Sequence, residues 1–155
     1  MPWKVYGKSS LWVPPLISER LKFLNPEVNP FFKESEVDLF LVISESKEVV
    51  GRIALIINHV HNEKFSEKVG FFGMFETINN REVSDSLFDV ATVWCREQNL
   101  NKLVGPINLS TNHDCGLLID GFDLPPVIGI PYNPPYYSDI FDDLKFNKAK
   151  DLVSL

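Results

Sequence analysis

Glu76 closes a run of apolar and glycine residues, Val69 to Phe75 (VGFFGMF). A carboxylate walled by aromatic rings has its charged form disfavoured and its pKa raised, which suits a general base working near neutrality. The plainer alternative is a solvated residue just past a buried strand. Tyr136 and Tyr137 follow Pro134-Pro135. A phenol with a pKa of about 10 can hand a proton to a developing thiolate; otherwise one ring packs inward and the other lies at the turn. Asn108, Ser110, Thr111, Asn112, His113 and Asp114 form the densest polar run, directly after a short apolar stretch. Polar side chains at the carboxyl end of a strand line the ligand crevices of open sheets, although Ser110 or Asn112 equally suits a helix cap.

His59 and His61 alternate on an apparent strand and so share a face, and with His113, Asp114 and Cys115 they suggest a metal site. No second Cys/His pair has structural-zinc spacing, so two surface or hydrogen-bonded histidines are the expected reading. Ser110, His113 and Asp114 lack the Gly-x-Ser-x-Gly elbow of a hydrolase triad.

The elements that must position these residues follow from periodicity. Leu16, Ile17, Leu21 and Leu24 predict a short amphipathic helix, started by Pro14-Pro15 and stopped by Asn25-Pro26. A loop over 25–33 follows, anchored by Phe31 and Phe32. Residues 37–45 and 49–60, separated by a Ser-Glu-Ser-Lys turn, predict a β-hairpin. Its second strand places Ile53, Leu55 and Ile57 on one face, and Val50, Ala54, Ile56 and Val60 on the other, which Arg52 and Asn58 share. Residues 61–68 predict a polar loop, and 69–76 a third strand in which Gly70 and Gly73 signal a bulge or a close approach. Val83, Leu87, Ala91 and Trp94 mark a helix from about Arg81 to Gln98, with Asn79 and Glu82 resembling a capping pair. Short strands over 102–107, 126–131 and 149–155, a short helix over 114–118 and a helical turn within 134–144 complete the expectation. The order is that of an α/β or α+β domain on one mixed, mostly antiparallel sheet.

The 155 residues suit one domain, and 45% hydrophobic content with twelve Phe describes a globular chain. The net charge of −6 disfavours nucleic acid as a partner. No apolar window reaches membrane-span length and no signal peptide is evident. Two cysteines amid ordinary core residues suit a reduced cytoplasm, not a disulfide scaffold.

Several motifs carry a resemblance: Phe71-Phe72-Gly73-Met74-Phe75-Glu76, the segment 105–118 (GPINLSTNHDCGLL), Tyr132-Asn133-Pro134-Pro135-Tyr136-Tyr137, and Trp12-Val13-Pro14-Pro15. Together with the element order they resemble the acyl-CoA N-acyltransferase (GNAT) superfamily, in a poorly characterised branch. The resemblance implies a GNAT-like fold and transfer of an acyl group from acetyl-CoA or another acyl-CoA to a small-molecule amine. It implies Glu76 as base, Tyr136 or Tyr137 as acid, Asn108, Ser110, Thr111 and Asn112 against substrate, and Phe75, Thr77, Asn79, Asn80 and Arg81 around the cofactor. Two features depart from the family's pattern. Its first strand has no counterpart before the first helix, as in a fragment of a longer protein or a sheet whose edge another segment supplies. Its glycine-containing phosphate loop is replaced by Thr77-Ile78-Asn79-Asn80-Arg81-Glu82, where only Arg81 and a helix N-terminus attract an anion and Glu82 opposes them. The alternative reading is a degenerate GNAT-like binding module without CoA-dependent catalysis, pairing as a homodimer through an exposed sheet edge.

Overall fold

Strand-forming residues, buried on both faces in the two central strands, build the centre of the molecule. In the computed structural model, which describes residues 1–7, 11–127 and 129–153, β1 (Ser35–Ile43) and β2 (Val49–Asn58) form the expected hairpin. The third strand, β3 (Val69–Thr77), pairs antiparallel with β2, and β4 (Lys102–Val104) pairs parallel with β3. The order β1-β2-β3-β4 leaves β1 at one edge.

One face of the sheet carries the main core. Ile53, Leu55 and Ile57 of β2 and Phe72 and Phe75 of β3 pack on Leu87, Phe88, Ala91 and Trp94 of the long helix. That helix, α4 when α1 (Pro2–Tyr6), α2 (Ile17–Phe23) and α3 (His59–Phe65) are counted first, spans Arg81–Glu97. Its cap is Asn80, whose Oδ1 accepts the Glu82 N–H at 2.8 Å. The Trp94 indole N–H donates to Asp38 Oδ2 at 2.7 Å and ties the helix to β1. The last helix, α5 (Tyr136–Asp143), adds Tyr137, Ile140 and Phe141 to the same core.

Of the two glycines that signalled a bulge or a close approach in β3, Gly73 marks the bulge and Gly70 lies against the Leu100 and Trp94 side chains. Met74 adopts φ +48°, and the β2 register shifts between Arg52 and Ala54. A β-carbon on Gly73 would run into the carbonyl of Ile107, whose N–H bonds the neighbouring Phe72 carbonyl.

Several local expectations are corrected. Residues 59–65 are helical because the side chain of Asn58, the last residue of β2, caps them, accepting the His61 N–H at 2.9 Å. The strand that begins at Lys102 ends at Val104: Gly105 lies against the Phe72 carbonyl, and Pro106 has no N–H to continue a ladder. Residues 114–118 are not a helix, since Cys115 makes an isolated antiparallel bridge to Ile107. The described residues of 126–131 and 149–155 form no strand; Ile128, Ser154 and Leu155 lie outside them. The helix α2 forms, yet Leu16, Ile17 and Leu21 are exposed. Residues 30–33 of the expected loop form a 3-10 turn capped by Asn29. Among the described residues no strand precedes α2, and no helix is long and apolar enough to cross a membrane.

Candidate active site

Strand register decides what meets Glu76. Leu41, Arg52 and Glu76 are successive cross-strand partners on β1, β2 and β3, so their side chains lie on one face, opposite the α4 core. Arg52 Nη2 is 3.6 Å from Glu76 Oε1. The other carboxylate oxygen, Oε2, accepts the Tyr137 hydroxyl at 3.1 Å. Tyr6, from α1, makes a further side-chain hydrogen bond to Glu76. Its ring stacks on Trp12 and tilts toward Tyr132, so the N-terminal segment roofs the carboxylate.

The tyrosines of α5 reach Glu76 because β3 has a bare edge there. Ile78 N–H donates to Val50 O, so the neighbouring Thr77 N–H points away from β2, into space that β4 no longer fills. The Tyr137 hydroxyl accepts that N–H at 2.9 Å, and the Tyr136 hydroxyl donates to Thr77 O at 2.7 Å. Further back along this edge Ile107 N–H donates to Phe72 O, and Met74 N–H donates to Asn108 Oδ1 at 2.7 Å.

Glu76 is 8% exposed. Its carboxyl is held above the usual range because burial outweighs the opposing pull of Arg52 and of the Tyr6 and Tyr137 hydroxyls. Burial and the adjacent Glu76 charge push the Tyr137 and Tyr6 phenols far up. Tyr136, half-buried, is pushed up to about 12 by burial first and Glu76 second.

The other sequence candidates divide by exposure. Phe75 belongs to the core and Thr77 is fully buried, whereas Asn79, Asn80 and Arg81 are exposed at the start of α4. Arg81 Nη1 is 3.3 Å from Asp143 and its Nε 3.4 Å from Asp85. Together with Asp139, Tyr136 and Ser84 they line a cavity of about 140 Å3. Two aspartates on one guanidinium, with Asp139 in the same cavity and Asn80 already occupied as the cap, do not fit a pyrophosphate. Asn108 is engaged with Met74. Ser110, Thr111 and Asn112 lie in the loop beyond it, with Ser110 Oγ 2.9 Å from His113 Nδ1 and Asp114 paired to Arg20. His59 and His61 bond to Glu36 and Glu67 respectively. Among the described residues no three metal-binding side chains converge.

Tyr6 and Arg52 escaped the sequence reading as partners of Glu76. Arg52 had a signal, a lone cation on an otherwise apolar strand; Tyr6 had none, because only the fold brings residue 6 over β3.

These features belong to an acetyltransferase-type fold. The chain superposes along 96% of its length on 84% of the solved structure of a "putative acetyl transferase from Pyrococcus furiosus", with a TM-score of 0.51 at 14% identity. No family model matches the sequence. Curated relatives in sequence are Protein YghO of Escherichia coli K12, 33% identical over 156 residues, and a bacterial ceramide synthase of Caulobacter vibrioides, 35% identical over 155. Each alignment takes in 99% of this chain but only 39% and 40% of those proteins, so the chain spans about two-fifths of their length.

Proposed function

We propose that this chain is an N-acyltransferase domain that moves an acyl group from an acyl thioester, nominally acyl-CoA, to an amine. The observation that carries the reading is the buried Glu76 carboxyl, raised in pKa and fixed by Tyr137 and Tyr6 at the end of the central strand. A base so tuned accepts a proton from an attacking amine near neutral pH, a contribution of about 10²–10⁴-fold. Tyr137 holds Glu76, while Tyr136, the tyrosine that lines the cavity beside α4, donates to the departing thiolate. Asn108 fixes the bend of β3 through Met74, and the loop over 110–112 meets the acceptor. Ceramide is an amide of a long-chain amino alcohol, so the relative named for its synthesis supports amide formation, with an amine of that class as acceptor.

A second reading, a binding module that no longer uses CoA, is favoured by the aspartates that hold Arg81. Isothermal calorimetry with acetyl-CoA and then long-chain acyl-CoAs separates the two, followed by mass spectrometry of the products formed with a long-chain amine. Micromolar binding and an amide product that disappears in Glu76→Gln supports the transferase. Absence of heat at millimolar ligand leaves the module.

A further inference from the structure

We propose that the donor is recognised through its acyl-pantetheine part, and that the nucleotide end of CoA adds no affinity at this chain. The inference rests on the transferase reading and names the part of the thioester that the site accepts. It follows from the charges around the cavity between the start of α4 and α5.

Among the described residues lining that cavity, Arg81 is the one cation, set against the carboxylates of Asp85, Asp139 and Asp143. Asp85 Oδ2 lies 3.4 Å from Arg81 Nε, and Asp143 Oδ2 lies 3.3 Å from Nη1. The Arg81 side chain is 66% exposed, and ion pairs of that kind are weak, so the aspartates do not lock it in place. The sign of the charge decides instead. A guanidinium that turns to a diphosphate leaves both aspartates beside the same anion, and the cavity keeps its excess of negative charge. The backbone offers little in return. Asn80 N–H already donates to Ile78 O at 2.7 Å and Glu82 N–H to Asn80 Oδ1, while the Glu82 carboxylate belongs to the first turn.

A neutral, amide-linked arm meets none of these objections. Carboxylate and carboxamide oxygens accept N–H and O–H groups, which pantetheine presents and an ionised diphosphate does not. Asp139 and Asn79 supply such acceptors, and Ile140 and Leu144 give its methylenes an apolar wall. The Ser84 hydroxyl donates to Arg81 O at 2.8 Å, so its proton is not offered to a phosphate. Tyr136 lines the same cavity, so an arm lying there carries its thioester toward the proposed acid. The volume of about 140 Å3 takes a segment of that arm and leaves the nucleotide outside.

The test sets acetyl- and octanoyl-CoA against acetyl- and octanoyl-pantetheine, which carry the same thioesters without phosphate or nucleotide. Calorimetry reads binding, and mass spectrometry follows amide formation with the long-chain amine. For each acyl group the two donors are expected to agree within about threefold in Kd and in kcat/KM. Raising the salt from about 0.05 to about 0.5 M tightens acyl-CoA and leaves acyl-pantetheine unmoved, because screening relieves only the charged ligand. Asp85→Asn with Asp143→Asn improves acyl-CoA more than acyl-pantetheine, a difference that general damage to the fold does not produce. Acyl-CoA bound about tenfold or more tightly than acyl-pantetheine, or loosened by salt, overturns the inference and leaves the transferase reading standing. If no thioester is bound or consumed, the transferase reading falls and this inference with it.

Discussion

The Tyr137 hydroxyl stands between the Glu76 carboxylate, 3.1 Å away, and the Thr77 backbone N–H, 2.9 Å away. One phenol thus orients the candidate base and closes the exposed end of β3. Tyr137→Phe strips both bonds while keeping the ring on Phe75 and is expected to destabilise the fold by about 1–3 kcal/mol. Chemical denaturation measures the loss.

The raised pKa of Glu76 gives stability a definite pH dependence. Below the ordinary glutamate range both folded and unfolded states hold the proton, and the contribution is fully present. As pH rises through the folded-state pKa, the unfolded chain ionises first and stability falls. Glu76→Gln lacks this fall, so its stability relative to the wild type should improve as pH climbs. Arg52→Met removes the cation that opposes burial and should carry the fall to higher pH. Urea titrations at several pH values decide both; parallel curves for wild type and Glu76→Gln would remove Glu76 as the cause.

Acyl-CoA affinity should respond to charge at the start of α4. Asp85→Asn with Asp143→Asn frees Arg81 and is expected to tighten binding roughly three- to tenfold, whereas Arg81→Glu weakens it. Calorimetry reads both directions. Affinity unchanged by all three substitutions would put the donor's phosphates elsewhere.

Gly73→Ala places a methyl against the backbone of Ile107, which has no side-chain freedom with which to yield. A loss of about 1–3 kcal/mol or more is expected, visible as a lowered Tm. Gly129→Ala provides a contrast: its φ of +83° strains any side chain, but nothing lies within 4 Å of the added carbon.

Trp94→Phe preserves most of the core contact and deletes the 2.7 Å bond to Asp38. Because the acceptor is a carboxylate, about 1.5–3 kcal/mol should be lost, measurable by thermal unfolding. Asp38→Asn, which keeps an acceptor oxygen, should lose less.

Local pattern determined the hairpin, the bend in β3 and helix α4. The apolar, β-branched run along 49–57 and the 3–4 residue spacing from Val83 to Trp94 each describe residues that have to be buried, so both elements were legible without a fold. Glu76 could be singled out as a carboxylate at the end of an apolar strand, and Tyr136 or Tyr137 as a candidate acid, without any indication of which tyrosine reaches Glu76. Long-range contacts decided the rest. Residues 59 and 60 could have continued β2, and the bond from the His61 N–H to the Asn58 side chain turns them into a helix instead. The stretch 126–131 has strand-like composition, but its described residues pair with no neighbouring strand, and a strand without a partner leaves its polar backbone unsatisfied. That Tyr6, Arg52, Glu76 and Tyr137 converge depends on register across β2 and β3 and on β4 ending early enough to admit α5. Register is a property of paired strands, so no single stretch of sequence contains it.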